Sequence, residues 1–344
     1  MLMKLWELLW RPDLKEKFVV QKFLCMFLNC SREELWTNTN QEVSDEIIQK
    51  VLTAYKSYVE DKKPLEYILG HVDFFGKEFF VSEATLIPRP ETEYMITAVT
   101  EFIQEQGTRD KEQNQKNHAS WIIHHESHLL LDIGTWCGVL WISVLLQNPD
   151  FFSDVIFSDY FENALEIAQR NFKWLMKNEQ WKMKVSFIQS DLLDFLIRWT
   201  SEKSSTLKDS PSFEIKEDTH VVLVANLPYI PEEMFENNVA ENVKNREPKP
   251  AFVWWDDGLD YYRIMLDQIL QLRGTRNKGQ GENTQQKIEK NNSPFTFHLS
   301  PITMFLEMMT WQVDVLRQLY DASFVFEEVK TFHFNIRIVK AYLK

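Results

Sequence analysis

Apolar residues recur at helical spacing through the first sixty positions. Phe18, Val19, Phe23, Met26 and Phe27 fall on one stripe between Asp13 and Leu28, and Val43 to Tyr58 forms a second amphipathic segment after Thr39-Asn40. Ser31 with Glu34 three residues later has the capping-box pattern. These features predict a small helical bundle, with no glycine before Gly70. From Pro64 the texture changes. DFFGKEFFVS (Asp73 to Ser82) is aromatic, glycine-punctuated and roughly alternating, so it predicts a β-hairpin. Leu86-Ile87-Pro88-Arg89-Pro90 then interrupts the chain before a helix expected from about Glu91 to Gln106. Residues 107–120 are polar and are expected to form a loop.

Beyond this point strands alternate with helices. Strands are predicted at 128–134, 154–159, 184–191 and 220–227, and helices at 139–147, 161–178 and 259–272. Such alternation predicts a parallel sheet covered by helices on both faces, an α/β class. The closing segment SFVFEEVKTFHFNIRIVKAYLK predicts two strands returning as an antiparallel hairpin. Polar stretches at 200–219 and 273–294 interrupt the pattern and are expected to be surface insertions. No internal repeat is present.

Composition narrows the classes. The chain has 344 residues, 44% hydrophobic and 26% charged, which excludes a disordered, collagen-like or coiled-coil protein and suggests two domains. No apolar run approaches the ~18 residues of a membrane span, and the first residues have neither the apolar core nor the cleavage site of a secretory signal. Three cysteines (Cys25, Cys30, Cys137) make no disulfide framework. A cytoplasmic location is expected. The net charge of −13 argues against a protein that holds nucleic acid mainly through its phosphates. One number is anomalous: an average usage of about 7% would give roughly 24 glycines, whereas the chain has 9 glycines and 12 tryptophans.

Three constellations could carry chemistry. LLLDIGTWCGVLWIS (129–143) places Asp132 at the end of a buried strand, then a loop with Gly134 and Gly138, then a helix. Such a loop lets a ligand approach backbone N–H groups, and without Gly-Lys-Ser/Thr it is not a phosphate-binding P-loop. Asp159 closes the next strand, where a carboxylate can accept both hydroxyls of a ribose, and Asp191 closes the one after. Asn226-Leu227-Pro228-Tyr229, in NLPYI, follows the strand HVVLVA. It offers a carboxamide, fixed carbonyls and an aromatic face, a set suited to an amide or an aromatic amine.

The glycine loop, the two strand-end acids and NLPYI, in this order, resemble a class I S-adenosylmethionine-dependent methyltransferase. PLEYILG (64–70), DFFGKEFFV and LIPRPETE (86–93) narrow the resemblance to the peptide-chain release factor N5-glutamine methyltransferases, the PrmC/HemK family. DDGLDYYRIM (256–265), FLEM (305–308), Gln312 and the neighbourhood of Arg337 also fit, so the resemblance spans nearly the whole chain. It implies a doubly wound, mostly parallel seven-stranded sheet with a C-terminal antiparallel hairpin. It also implies a partner-docking helical domain over 1–63, a hairpin linker over 64–90 and a catalytic domain over 91–344. The cofactor would be S-adenosyl-L-methionine, and the protein substrate a release factor methylated on the glutamine of its Gly-Gly-Gln motif. No membrane or direct nucleic-acid partner and no metal are implied. The segment Gly134, Thr135, Trp136, Cys137, Gly138 would pass under the methionine part of the cofactor, with Asp132 steadying it. Asp159 would hold the ribose, and Asp191 and Leu192 would lie by the adenine. Asn226 and the Leu227 carbonyl would grip the glutamine amide, with Pro228 fixing the turn and Tyr229 packed alongside. Arg89, Glu91, Thr92 and Glu93 would shape the pocket mouth.

The sequence departs from that pattern. The family commonly has proline where Leu227 stands; leucine keeps the carbonyl and adds an N–H. NLPY is also similar to a motif of RNA adenine N6-methyltransferases, an alternative that LIPRPETE and the acidic balance disfavour. Trp136 stands at the middle glycine of the cofactor loop, Trp141 where a small residue is expected, and Trp254-Trp255 where two glycines are common. Tryptophan recurring at glycine positions, with glycine scarce, is the pattern left when UGA codons meaning glycine are translated as tryptophan. If Trp136 is genuine, a third class opens, a methyltransferase fold serving as a cofactor-less binding protein. His118, His124, His125 and His128 cluster without an acid or cysteine to complete a metal site. Cys137 has no identifiable activating histidine and is expected to pack.

Overall fold

The computed structural model describes residues 3–116, 128–177, 181–201, 219–253, 257–273, 301–329 and 336–344. The chain divides into two compact units, one of residues 1–87 with 238–248, the other of 88–237 with 249–344.

In the first unit β1 (Met3–Lys4) leads into α1 (Leu5–Leu9), followed by α2 (Lys17–Leu28) and α3 (Arg32–Thr37). After β2 (Glu42–Val43) come α4 (Asp45–Val59) and α5 (Leu65–Leu69). The expected capping box forms at Ser31. Its hydroxyl accepts the Glu34 N–H at 3.1 Å, and the Glu34 carboxylate accepts the Ser31 N–H at 2.8 Å. Val20, Phe23, Leu24, Leu35 and Val51 close a continuous core. One detail corrects the all-helical reading: β1 and β2 pair antiparallel, Met3 opposite Val43. Two-residue strands are too short to leave a period in the sequence. The predicted hairpin is present as β3 (His71–Phe74) and β4 (Lys77–Phe80). Its two-residue turn has positive φ at both Phe75 (48°) and Gly76 (72°), the twist that a tight hairpin requires.

The second unit opens with a 3-10 turn (Pro90–Thr92) and α6 (Glu93–Lys116). The loop expected over 107–120 is thus helical as far as Lys116, and the remainder lies outside the described residues. Glu, Gln, Lys and Arg are good helix formers, so a sequence without an apolar face can still be helical. Then follow β5 (His128–Ile133), α7 (Val139–Gln147), β6 (Asp154–Asp159), α8 (Glu162–Leu175), β7 (Lys184–Gln189), α9 (Asp194–Ser201) and β8 (His220–Ala225). After α10 (Glu232–Asn238) and α11 (Glu241–Arg246, in the first unit) come α12 (Asp260–Leu272), β9 (Ile302–Met309), α13 (Thr310–Tyr320), β10 (Phe324–Val329) and β11 (Ile336–Leu343).

The strands form one seven-stranded sheet, β10-β11-β9-β8-β5-β6-β7. The five from β9 to β7 are parallel, and β11 and β10 add antiparallel at the edge, as the resemblance implied. Every residue of β5, β8 and β9 is buried, which is why these strands read as continuous apolar runs rather than alternating ones. Strand order reverses between β5 and β8, and the carboxyl ends there open the crevice in which doubly wound sheets bind ligands. Among the described residues no helix is long and apolar enough to cross a membrane.

Candidate active site

The loop after β5 is tied at both ends. The N–H groups of Gly134 and Thr135 donate to the Ser158 carbonyl at 2.9 and 3.0 Å. The Thr135 hydroxyl donates to Asp132, whose carboxyl is fully buried and raised well above its ordinary range by that burial. The Cys137 carbonyl accepts from the Asn171 amide at 2.8 Å. The Cys137 thiol is pushed up to about 12 by burial, so it is a packing group rather than a nucleophile.

Alternate residues of this loop, Gly134, Trp136 and Gly138, all take left-handed backbone, with φ of 71°, 51° and 75°. Glycine enters that region freely, whereas a side chain resists it. At Gly138 an added Cβ would lie 3.0 Å from Ile142 and 3.2 Å from Ala168, so α7 and α8 also close tightly there. Trp136 therefore sits in a conformation suited to glycine. Its indole is 8% exposed and tilted over Phe161 at 6.1 Å, and its Nε1 is buried without a hydrogen-bond partner. Trp141 is fully buried on α7, with its ring edge-on to Phe152. Trp254 and Trp255 lie outside the described residues, as do His118, His124 and His125. His128 is buried at the start of β5, its ring 4.1 Å from that of Phe151. Among the described residues no three His, Cys, Asp or Glu side chains gather as a metal site.

Asp159, the last residue of β6, turns toward the same loop. One carboxylate oxygen accepts the Trp136 N–H and the other the Phe161 N–H, both at 2.9 Å. Burial raises its carboxyl to about 6. Asp159 lines a cleft with Gly134, Trp136, Asp191, Leu192, Leu227, Pro228 and Tyr261. The carboxyl ends of β5, β6, β7 and β8 thus meet where the strand order reverses. β7 ends at Gln189 and β8 at Ala225, so Asp191 and Asn226 stand just past their strands rather than closing them. Asp191 is raised above its ordinary range by burial, then by Asp194. Leu192 takes a φ of 46°.

Beside the cleft, NLPY is held by a second network. The Asn226 amide donates to the Thr92 hydroxyl at 3.3 Å, and that hydroxyl donates to Glu307 Oε2 at 3.2 Å. The Tyr229 hydroxyl donates to Glu307 Oε1 at 3.0 Å. The Leu227 N–H donates to the Tyr262 hydroxyl at 3.3 Å, which in turn donates to the Glu307 carbonyl. Gln312 clamps the turn from α13, donating at 2.8 Å to both the Tyr229 and Asp257 carbonyls. Gly258 lies so close that a Cβ there would be 2.2 Å from the Tyr229 carbonyl oxygen.

Thr92 is 3% exposed and ends the 3-10 turn that also carries Glu91; the Arg89 guanidinium lies 5.6 Å over the Phe252 ring. Leu227 and Pro228 belong to the cleft, whereas Thr92, Asn226 and Tyr229 gather around Glu307. Tyr261, Tyr262 and Glu307 carry no role legible in the sequence. For Glu307 a signal existed, a single acid in the wholly buried strand ITMFLEMM.

The cleft's lining suits a nucleoside: a buried carboxylate for ribose hydroxyls, apolar and aromatic walls, and the half-buried Gly134 at the start of the loop. Trp136 is among the residues that line it.

No family model matches the chain. The release factor glutamine methyltransferase of Bacillus anthracis is 32% identical over 246 residues, covering 72% of either chain. That of Bacillus cereus (strain ATCC 14579) is equally similar, and that of Bacillus subtilis (strain 168) is 26% identical over 258 residues, 74% of either chain. With LIPRPETE, NLPYI and the sheet order in place, this identity and coverage show that the chain belongs to the release factor glutamine methyltransferase family.

Proposed function

We propose that this chain transfers a methyl group from S-adenosylmethionine to the side-chain amide nitrogen of the glutamine in the Gly-Gly-Gln motif of peptide-chain release factors. The observation that carries this reading is the meeting of NLPY with the Asp159 cleft, since Leu227 and Pro228 line the same cleft as Asp159 and Asp191. When bound, S-adenosylmethionine supplies an electrophilic methyl on a sulfonium sulfur. Asp159 would accept the ribose hydroxyls, Asp191 and Leu192 would border the adenine, and the 134–138 loop, stayed by Asp132, would bear the methionine part.

An amide nitrogen is a poor nucleophile because its lone pair is delocalised into the carbonyl. Asn226 Oδ1 and the Leu227 carbonyl, each accepting one N–H, would push density onto that nitrogen and fix its direction. Tyr229 would pack on the amide plane, with Arg89 and Glu91 at the pocket mouth. Positioning and electrostatics then supply the rate, and the proton leaves after the nitrogen has gained its methyl. The helical segment 1–63 would dock the release factor, with 64–90 as linker and 91–344 as catalytic domain, in the cytoplasm. One observation favours a second reading, a cofactor-less binding protein: a tryptophan, Trp136, lines the cleft at a position whose backbone suits glycine. Calorimetric titration with S-adenosylmethionine, followed by methylation of a release factor, separates the two. Binding with methyl transfer supports the enzyme; release-factor binding without cofactor affinity supports the alternative.

A further inference from the structure

Deepening the reading above, and resting on it, we propose that Glu307 is a positioning residue that sets which end of the Asn226 carboxamide faces the substrate. A carboxamide is nearly symmetric in shape but not in chemistry, with an acceptor at one end and two donors at the other. The nucleophile here brings N–H groups, so only the Oδ1 end can serve it. Thr92 alone would not enforce that choice, because a hydroxyl both donates and accepts.

Glu307 removes the ambiguity. An ionised carboxylate only accepts. Thr92 must therefore give its single proton to Oε2, at 3.2 Å, which leaves only lone pairs toward Asn226. The Asn226 NH2 answers them at 3.3 Å, and its Oδ1 is left for the substrate. Tyr229 gives its proton to Oε1 at 3.0 Å, so the ring that packs on the amide is fixed by the same group. With Asn226 reversed, Oδ1 would face a hydroxyl whose proton is already committed, a repulsive contact in a buried place. Glu307 and Thr92 are each 3% exposed, so the two groups that set the direction are shielded from solvent.

The groups facing Glu307 are Thr92 and Glu91 from the 3-10 turn, Asn226 and Tyr229 from the turn after β8, and Tyr262 from α12 at its backbone carbonyl. No cation is among the causes acting on it. Burial lifts its carboxyl to about 7 and Glu91 adds to the rise, while the Tyr229 and Thr92 hydroxyls and the Asn226 side chain oppose it through hydrogen bonds. The network thus holds its productive direction above neutrality and loses it as Glu307 takes a proton.

The test is steady-state methylation of purified release factor by the wild-type chain, Glu307→Gln, Thr92→Val and Thr92→Ser, with S-adenosylmethionine binding measured alongside. In Glu307→Gln the new side-chain amide would itself donate to Thr92 and release Asn226 to turn. The expected result is a fall in kcat of about tenfold or more, little change in KM for the release factor, unchanged cofactor Kd, and loss of the rise in kcat through about pH 7. Thr92→Ser should retain several-fold more activity than Thr92→Val, which keeps the shape but not the hydroxyl. An active wild type beside a Glu307→Gln variant of equal kcat and equal pH profile overturns the proposal. So does a Thr92→Val variant matching Thr92→Ser. A wild type that binds cofactor but methylates no release factor overturns the functional reading itself, and the proposal with it.

Discussion

Trp136 holds a φ of 51° between two glycines and lines the cleft beside Asp159. Replacement by glycine should therefore move stability and cofactor affinity in opposite directions. Left-handed backbone costs a residue with a side chain about 1–2 kcal/mol, which glycine recovers. Truncating a buried tryptophan costs about 3–5 kcal/mol, and the indole here is 8% exposed. The net loss of stability for Trp136→Gly is then about 1–4 kcal/mol. Trp136→Ala keeps the strain and should be the less stable variant by about 1–2 kcal/mol. On the binding side, an indole that must leave its contacts to admit a ligand forfeits about 1.5–3 kcal/mol of burial. Removing it should tighten S-adenosylmethionine binding by about ten- to a hundredfold. Urea denaturation gives the first quantity and isothermal titration calorimetry the second. A glycine variant that binds no tighter than wild type, or an alanine variant as stable as the glycine one, would refute the reasoning.

Four further outcomes are expected. First, burial raises Asp159 from 3.8 to about 6, so the folded chain holds this proton more tightly than the unfolded chain. Its contribution to stability is full below about pH 4 and is lost as pH rises through about 6. Affinity for S-adenosylmethionine should rise over the same window, and Asp159→Asn should flatten both curves. Second, Tyr229→Phe removes a hydrogen bond that lowers Glu307, so the kcat–pH profile should move above about 7, with activity partly restored at higher pH. Third, Gly258→Ala drives a methyl to 2.2 Å from the Tyr229 carbonyl oxygen at a φ of 69°. It should lower the melting temperature and displace the NLPY turn, read as a loss of methylation larger than the loss of cofactor binding. Fourth, the coding triplets at Trp136, Trp254 and Trp255 should be UGA; any other triplet at these positions contradicts recoding.

Period and punctuation made most of the sheet domain legible. Buried β5, β6 and β8 read as short apolar runs with an Asp or Asn at or next to their carboxyl ends, and Gly138 marks the start of α7, which spans the expected 139–147. The hairpin at 71–80 could be read from Phe75-Gly76 between aromatic strands. Other features left weak traces. β9 and α13 escape the sequence reading, since ITMFLEMM has no period that separates strand from helix. α6 extends beyond its expected end at Gln106 because the polar sequence that follows has no apolar period to mark a helix. Among site residues, those at strand ends could be found, because topology collects them on one edge. Glu307, Tyr262 and Gln312 act through partners up to 215 residues away, and no local spacing announces such pairings. Trp136 was the converse case: an anomaly in composition located a residue that the backbone then showed in a glycine conformation.

The most direct measurement is mass spectrometry of a release factor incubated with this chain and S-adenosylmethionine, with fragmentation across its Gly-Gly-Gln segment. A single methyl on the glutamine amide, absent with Asn226→Ala, is the expected result. A chain that binds the cofactor yet leaves that glutamine unmodified, or that instead methylates an RNA adenine, would contradict the assignment of the NLPY turn to a glutamine amide.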